Sequence, residues 1–204
     1  MTKGVIFDMG GVIVDLDIDR CIRSFKEKAG CEHITDYLDP FHQKGFIGDM
    51  EAGAITEEEF YVRCLRHCRP GTTKEIVAEC FEDFLIGLNE EVCRAIRALH
   101  GRYDLFVLSN NNPIAVRVFR SLKDENGTPV ADYFKKCFFS YEMKMLKPGR
   151  EFYLKAIECT GYLADELIFI DDSEKNTAAA EEVGIRSILY RKGTLEGELR
   201  SLGL

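Results

Sequence analysis

Five side chains in this sequence stand where carboxylate, hydroxyl and ammonium groups can do chemistry together: Asp8, Ser109, Lys147, Asp171 and Asp172. Each follows an apolar run. Val5-Ile6-Phe7 leads into Asp8 and the Gly10-Gly11 pair, Leu105-Phe106-Val107-Leu108 into Ser109-Asn110, and Leu167-Ile168-Phe169-Ile170 into Asp171-Asp172. Lys147-Pro148 comes shortly after Phe138-Phe139-Ser140. A lone carboxylate at the end of a buried strand is costly to desolvate unless a cation, donors or chemistry use it. Asp8 therefore reads as functional, and its carboxylate can attack phosphorus to form an aspartyl-phosphate. Asp171 and Asp172 cannot sit beside it as bare anions, because at ~4 Å and an effective dielectric near 20 each like-charge pair costs about 4 kcal/mol. A hard divalent cation resolves the repulsion, and Mg2+ fits oxygen ligands of this kind. Lys147 supplies positive charge, while the Ser109 hydroxyl and the Asn110 backbone can donate to phosphate oxygens. Singly these motifs are weak, since Asp-x-Gly-Gly is commonly a turn and an Asp-Asp pair can simply cap a helix.

The elements must bring these distant segments together. A first strand is expected from about 4 to 14, followed by about 75 residues with apolar positions at helical spacing, such as Cys21-Ile22-x-x-Phe25 and Ile76-Val77-x-x-Cys80-Phe81. Thr56-x-x-Glu59 is a capping box opening one of these helices, and Arg69-Pro70-Gly71 closes it. After that block Asn89 is expected to cap a helix ending at His100-Gly101. Strands centred on 105–109, 136–140, 167–171 and 185–190 then alternate with helices over about 113–122, 150–160 and 174–183. That alternation implies an α/β fold, a doubly wound parallel sheet covered on both faces. Residues 1–15 and 89–204 form its core, and 16–88 form an inserted helical bundle. Ligands of such sheets bind beyond the carboxyl ends of the strands, where the strand order reverses. A central Asp8 strand flanked by those of Ser109 and Asp171 converges all three on one crevice. The polar run from Asp124 to Pro129 reads as an exposed loop.

In order and placement these motifs resemble the haloacid dehalogenase-like (HAD) hydrolase superfamily, with the helical block where a C1-type cap belongs in its subfamily I. The resemblance implies a Rossmann-like core and a Mg2+-dependent phosphatase of a small phosphorylated metabolite such as a sugar phosphate. It makes Asp8 the nucleophile and a metal ligand, with Lys147 as its catalytic partner. The Gly10 carbonyl becomes a further metal ligand, and Met9, Gly10, Ser109, Asn110 and Lys147 bind phosphate. Asp172 aligns with the directly coordinating acid and Asp171 with its outer neighbour, although the reverse assignment stays open. The start Asp8-Met9-Gly10-Gly11-Val12, running on to Asp17, looks like the α-D-glucose-1-phosphatase-like subgroup. Most relatives carry a second aspartate where this chain has Gly10, to protonate the leaving group; Asp15 or Asp17 are substitutes by position. The family also often has glycine where Lys144 stands, here expected as a surface charge at the entrance. Phe46, Met50 and Arg63 are candidate selectivity residues of the cap.

Composition narrows the partners. A formal charge of −8 and pI near 5.2 disfavour nucleic-acid and anionic-membrane surfaces, which require clustered Lys and Arg. No apolar stretch approaches the ~20 residues that span a bilayer, and Met-Thr-Lys-Gly leads directly into a strand, so a cytoplasmic monomer or homodimer is expected. The eight cysteines form no Cys-x-x-Cys and read as free buried thiols; Cys64-x-x-His67-Cys68 lacks the second ligand pair of a zinc site. Two other enzymatic readings share parts of the pattern. A 2-haloacid dehalogenase keeps the nucleophile and lysine but has no use for the adjacent acids, since carbon–halogen cleavage needs no metal. Phosphonatase-like chemistry would require a cap lysine, Lys26 or Lys28. The third alternative is a non-catalytic phosphate-binding or regulatory relative that lost its acid at Gly10.

Overall fold

The apolar runs ending in Asp8, Ser109 and Asp171 are strands, and they lie side by side. The computed structural model describes residues 1–38 and 43–204. Its elements begin with β1 (Gly4–Phe7), β2 (Val14–Leu16), α1 (Ile18–Glu27), α2 (Gly45–Glu51), α3 (Glu57–Leu65), α4 (Lys74–Glu82), β3 (Leu85–Leu88) and α5 (Glu90–Leu99). There follow β4 (Asp104–Ser109), α6 (Pro113–Ser121), β5 (Lys136–Phe139), α7 (Ser140–Met143), α8 (Arg150–Thr160), β6 (Leu167–Asp171), α9 (Glu174–Glu182), β7 (Arg186–Leu189) and α10 (Leu195–Ser201). One sheet runs in the order β5-β4-β1-β6-β7, every neighbour parallel. The chain winds outward from β1 in both directions. The strand order therefore reverses at β1, and the crevice expected of a doubly wound sheet opens where Asp8 emerges.

Successive residues of the central strands feed opposite layers. Val5, Phe7, Val107 and Ile170 pack on one face, while Ile6, Phe106, Leu108 and Phe169 pack on the other. Burial on both faces explains why these strands read as continuous apolar runs instead of alternating ones. The helices α1 to α4 enclose a separate apolar cluster, with Phe25 and Phe60 both edge-on to Phe81 at centroid distances of 5.2 and 5.4 Å. Ile114 of α6 joins that cluster from the sheet side. Asp17 caps α1, and Asp83 binds Arg20 and Ser24 of the same helix and Lys28 just past its end, so α1 is fixed at both its start and its flank.

Four local expectations change. The apolar run from 4 to 14 is not one strand: the sheet strand stops at Phe7, and Val14–Leu16 forms an antiparallel ribbon with Leu85–Leu88. Gly11 causes the break, turning with φ +77 while its N–H donates to the Val14 carbonyl. Val12 and Ile13 stay fully buried, so hydrophobicity alone carried no sign of the turn. Leu85–Leu88 itself had read as helical, but Gly87 at φ +149 is incompatible with helix. Asn89 does precede α5, yet its side chain donates to the Tyr190 hydroxyl at 2.7 Å and leaves the helix end uncapped. Asp124 is buried inside its polar loop, where it accepts from the N–H groups of Asn126 and Thr128, from Tyr133 and from Arg97. No helix among the described residues is long and apolar enough to cross a membrane.

Candidate active site

Asp8 is the first residue past β1, and its N–H still donates to the Ile170 carbonyl of β6 at 2.9 Å. Its carboxylate turns into the crevice. Oδ1 accepts from the Met9 N–H at 2.7 Å and lies 2.9 Å from Lys147 Nζ. The same ammonium donates to Asp171 Oδ2 at 2.6 Å. Asp8, Lys147 and Asp171 are only 7%, 4% and 0% exposed, so one buried cation stands between two buried anions. Burial pushes the Asp8 carboxyl up to about 7; the Lys147 charge opposes this and Asp171 adds to it. Burial also pulls the Lys147 ammonium down, but Asp171 and Asp8 outweigh it and hold the lysine above its ordinary value.

The loop after β4 completes the enclosure. Ser109 is buried, hydrogen-bonds to Asp8, and accepts from Asn111 Nδ2 at 3.1 Å. Asn110 uses its side chain to grip the main chain of Lys147 from both sides: Nδ2 donates to the Lys147 carbonyl at 2.9 Å, and Oδ1 accepts from the Lys147 N–H at 2.8 Å. Asn110 thus reaches Lys147 through an amide, a link that its expected backbone contact to phosphate did not foresee. Met9 is buried, with its N–H committed to Asp8.

The two acids of the last motif differ sharply. Asp171 is saturated: Oδ1 accepts from Ser173 N–H and Asn176 Nδ2 at 2.8 and 3.0 Å, and Oδ2 takes Lys147 and a longer contact to Asn176. Asp172 is exposed, and burial and then the charge of Asp171 hold its carboxyl above the usual range. One oxygen from each of Asp8, Asp171 and Asp172 falls within 4.8 Å of the others, the only such group of acids, histidines or cysteines among the described residues. Hard oxygen donors at this spacing, carrying more negative charge than Lys147 balances, fit a small divalent cation.

Three participants had no clear signal in the sequence. Gly11 packs its α-carbon against the Asp172 carboxylate so closely that an added Cβ would overlap Oδ2. Asn176 clamps Asp171 from one turn into α9, and only the spacing Asp-Asp-Ser-x-x-Asn could have suggested it. Glu51 ends α2 of the cap, and burial pushes its carboxyl up to about 7 although the Asn112 amide favours the ionised form.

Other candidates lie elsewhere. Asp15 pairs with Lys192 at 3.3 Å and Asp17 caps α1, so both are occupied as structural groups. Phe46 and Met50 are buried within the cap's own cluster, and Arg63 pairs with Asp49 at 3.0 Å. The packing of α2 and α3 consumes the apolar pair instead of presenting it to a ligand. Lys28 binds Asp83, and Lys26 is exposed. Lys144 is exposed at φ +54, a left-handed backbone that glycine adopts most easily, in accord with the glycine often found there. His67 stacks on Phe46, and all eight cysteines are free.

Comparison with known proteins places this geometry. The family model for haloacid dehalogenase-like hydrolases matches residues 2–184. A D-ribitol-5-phosphate phosphatase of Bacteroides thetaiotaomicron is 29% identical over 194 residues, which cover 95% of this chain and 94% of that protein. A solved HAD-like hydrolase from Porphyromonas gingivalis aligns with a TM-score of 0.87 at 30% identity, covering 99% of this chain and 98% of the other. A HAD family enzyme from Bacteroides thetaiotaomicron, solved with magnesium and inorganic phosphate, aligns with a TM-score of 0.87 at 30% identity over 98% and 99% of the two chains.

Two outcomes test this description. Gly11→Ala places a methyl group on Asp172 and forces a positive φ on a residue that resists it, so calorimetric titration with a divalent cation should show affinity at least ~10-fold weaker. Unchanged affinity would separate Gly11 from the acidic cluster. For Glu51, the unfolded chain loses its proton near the ordinary value of 4.5 while the folded chain keeps it to about 7. The folded state thus binds more protons between those values, stability falls as pH rises through that window, and the whole cost is present above about 7. Glu51→Gln should therefore raise stability above pH 7 by roughly 1–3 kcal/mol and leave it little changed below pH 4.5, as read by denaturant melts.

Proposed function

We propose that this chain, which belongs to the haloacid dehalogenase-like hydrolases, is a magnesium-dependent phosphatase that hydrolyses a small phosphorylated sugar or polyol through an aspartyl-phosphate on Asp8. The observation that carries this reading is the buried Asp8–Lys147–Asp171 group with Asp172 at its open side. The ribitol phosphate named for one relative, and the magnesium and phosphate bound to another, support the substrate class and the cation. Asp172, placed beside Asp8 and Asp171, favours phosphoryl transfer over carbon–halogen cleavage, which needs no metal and leaves this second acid without a task.

In this scheme Oδ1 of Asp8 is fixed by Met9 and Lys147, so Oδ2 is the attacking oxygen. It forms the bond to phosphorus as the bond from phosphorus to the substrate oxygen breaks. Lys147 stays charged throughout and stabilises the equatorial phosphoryl oxygens together with the Ser109 hydroxyl and the Asn110 main chain. Water then attacks phosphorus, releasing phosphate and regenerating the Asp8 carboxylate. Asp8, the Gly10 carbonyl and Asp172 would hold the cation directly, with Asp171 behind them, since its oxygens already take Lys147, Asn176 and Ser173. Bound there, Mg2+ offsets the charge of the phosphoryl group.

The leaving-group side is distinctive. A side chain at position 10 would point at Leu16, whose Cδ1 lies 3.0 Å from where a Cβ would stand. Leu16 is 38% exposed, so an apolar group covers the place of the usual second aspartate. With Asp15 held by Lys192 and Asp17 by the start of α1, the departing alkoxide takes its proton from water.

The direct test is turnover of p-nitrophenyl phosphate and D-ribitol 5-phosphate with Mg2+. Asp8→Asn should abolish both, because an amide is no nucleophile. Lys147→Ala should cost roughly 10²–10³ in rate. Full activity in excess chelator would defeat the cation assignment. Gly10→Asp needs only a small shift of the exposed Leu16; it should speed the alkyl ester by up to ~10²-fold and leave p-nitrophenyl phosphate nearly unchanged, since only the former waits on a proton. Equal gains on both esters would show that position 10 acts through something other than proton supply.

A further inference from the structure

The cap touches the sheet domain at the loop that carries Ser109 and Asn110, and the contact is built from main chain. At the end of α2 the Glu51 carbonyl accepts from Ser140 Oγ at 2.6 Å. That hydroxyl oxygen in turn accepts from the Asn111 N–H at 2.9 Å. The Glu51 carboxyl bonds to Asn112, whose Oδ1 is already occupied in capping α6 through the N–H groups of Ile114 and Ala115. Two residues on, Gly53 turns with φ +65 and lays its α-carbon against the Tyr141 carbonyl, leaving no room for a Cβ. Glu51 and Gly53 therefore seat the cap on Asn111, Asn112, Ser140 and Tyr141 with no slack.

The seat leads to the reacting groups. Asn111 and Asn112 are continuous with Ser109 and Asn110, and Asn110 grips Lys147 through both its N–H and its carbonyl. The Glu51 side chain, half-buried at the end of α2, is thereby joined to the residue that caps α6, directly beside the loop. We propose that Glu51 is a positioning residue: it transmits seating of the cap through Ser140 and Asn112 to the 109–112 loop, and through Asn110 fixes the Lys147 ammonium against Asp8. This rests on the reading of Asp8 and Lys147 as the reacting pair. It gives the cap a second task besides covering the substrate, since the loop reaches its working geometry only with the cap in place.

The test uses the full chain with Mg2+ and p-nitrophenyl phosphate, together with amide hydrogen exchange at Asn111. Glu51→Ala should lower kcat by roughly 10–100-fold, as expected for a displacement of about an ångström, with KM changed less than about threefold. The Asn111 amide should exchange at least ~10-fold faster, because loss of the side-chain contact to Asn112 loosens the 109–112 loop beside the Ser140 hydroxyl, whose own bond to the main-chain carbonyl of residue 51 survives the substitution. Glu51→Gln should recover most of both, since its side-chain carbonyl still accepts from Asn112. Gly53→Ala lifts the same turn and leaves Glu51 intact, so it should reproduce the loss even if Glu51→Ala fails to fold. Wild-type kcat and Asn111 exchange in Gly53→Ala, or an effect of Glu51→Ala on KM alone, would overturn the proposal. If the unmodified chain does not turn over p-nitrophenyl phosphate the phosphatase reading falls, while the exchange experiment still reports whether the seat orders the loop.

Discussion

One buried ammonium organises the carboxyl end of the sheet. Taking an ion out of water costs several kcal/mol even after relaxation, and Lys147 recovers that cost only through Asp8 and Asp171 at 2.9 and 2.6 Å. The three charges leave one negative charge over, and Asp172 at the rim adds another. With all three carboxylates ionised, the protein alone carries an excess equal and opposite to one divalent cation. The Lys147–Asp171 pair and the cation site are two parts of one electrostatic balance, and disturbing either alters the other.

That balance dictates the order of the strands. Asp8 and Asp171 can share a lysine only if β1 and β6 are neighbours, and the loop holding Lys147 must come over from the far side past β4. Asn110 provides the bridge, binding the Lys147 main chain at two points. The crossover helices follow as the means of running all five strands in one direction.

Much of this was legible in the residues. The apolar runs located four strands of the sheet, and the polar residue ending each run marked the crevice, because buried strands read as hydrophobic blocks whose ends are abrupt. What stayed hidden has a common physical origin. The ribbon of Val14–Leu16 with Leu85–Leu88 depends on a pairing across the whole cap, which no local period records. Gly11 and Glu51 act by approach to groups distant in sequence, Asn176 reaches back from the first turn of α9 to Asp171, and an asparagine, a glycine or a helical glutamate looks ordinary alone. Phe46 and Met50 misled for the opposite reason: an apolar side chain in a helical block packs inward before it serves a ligand.

The ribbon has a further consequence. The chain leaves the core through Val14–Leu16 and returns through Leu85–Leu88, and these two segments are hydrogen-bonded to each other. The cap is thus mounted on a double-stranded stalk, not strung between separate points of the sheet. Exit and return are thereby held side by side, so the insertion adds no second attachment to the strands of the sheet. Seen from the core, the insertion amounts to a hairpin with an enlarged tip, and a different tip could be exchanged for it without rerouting a single strand of the sheet.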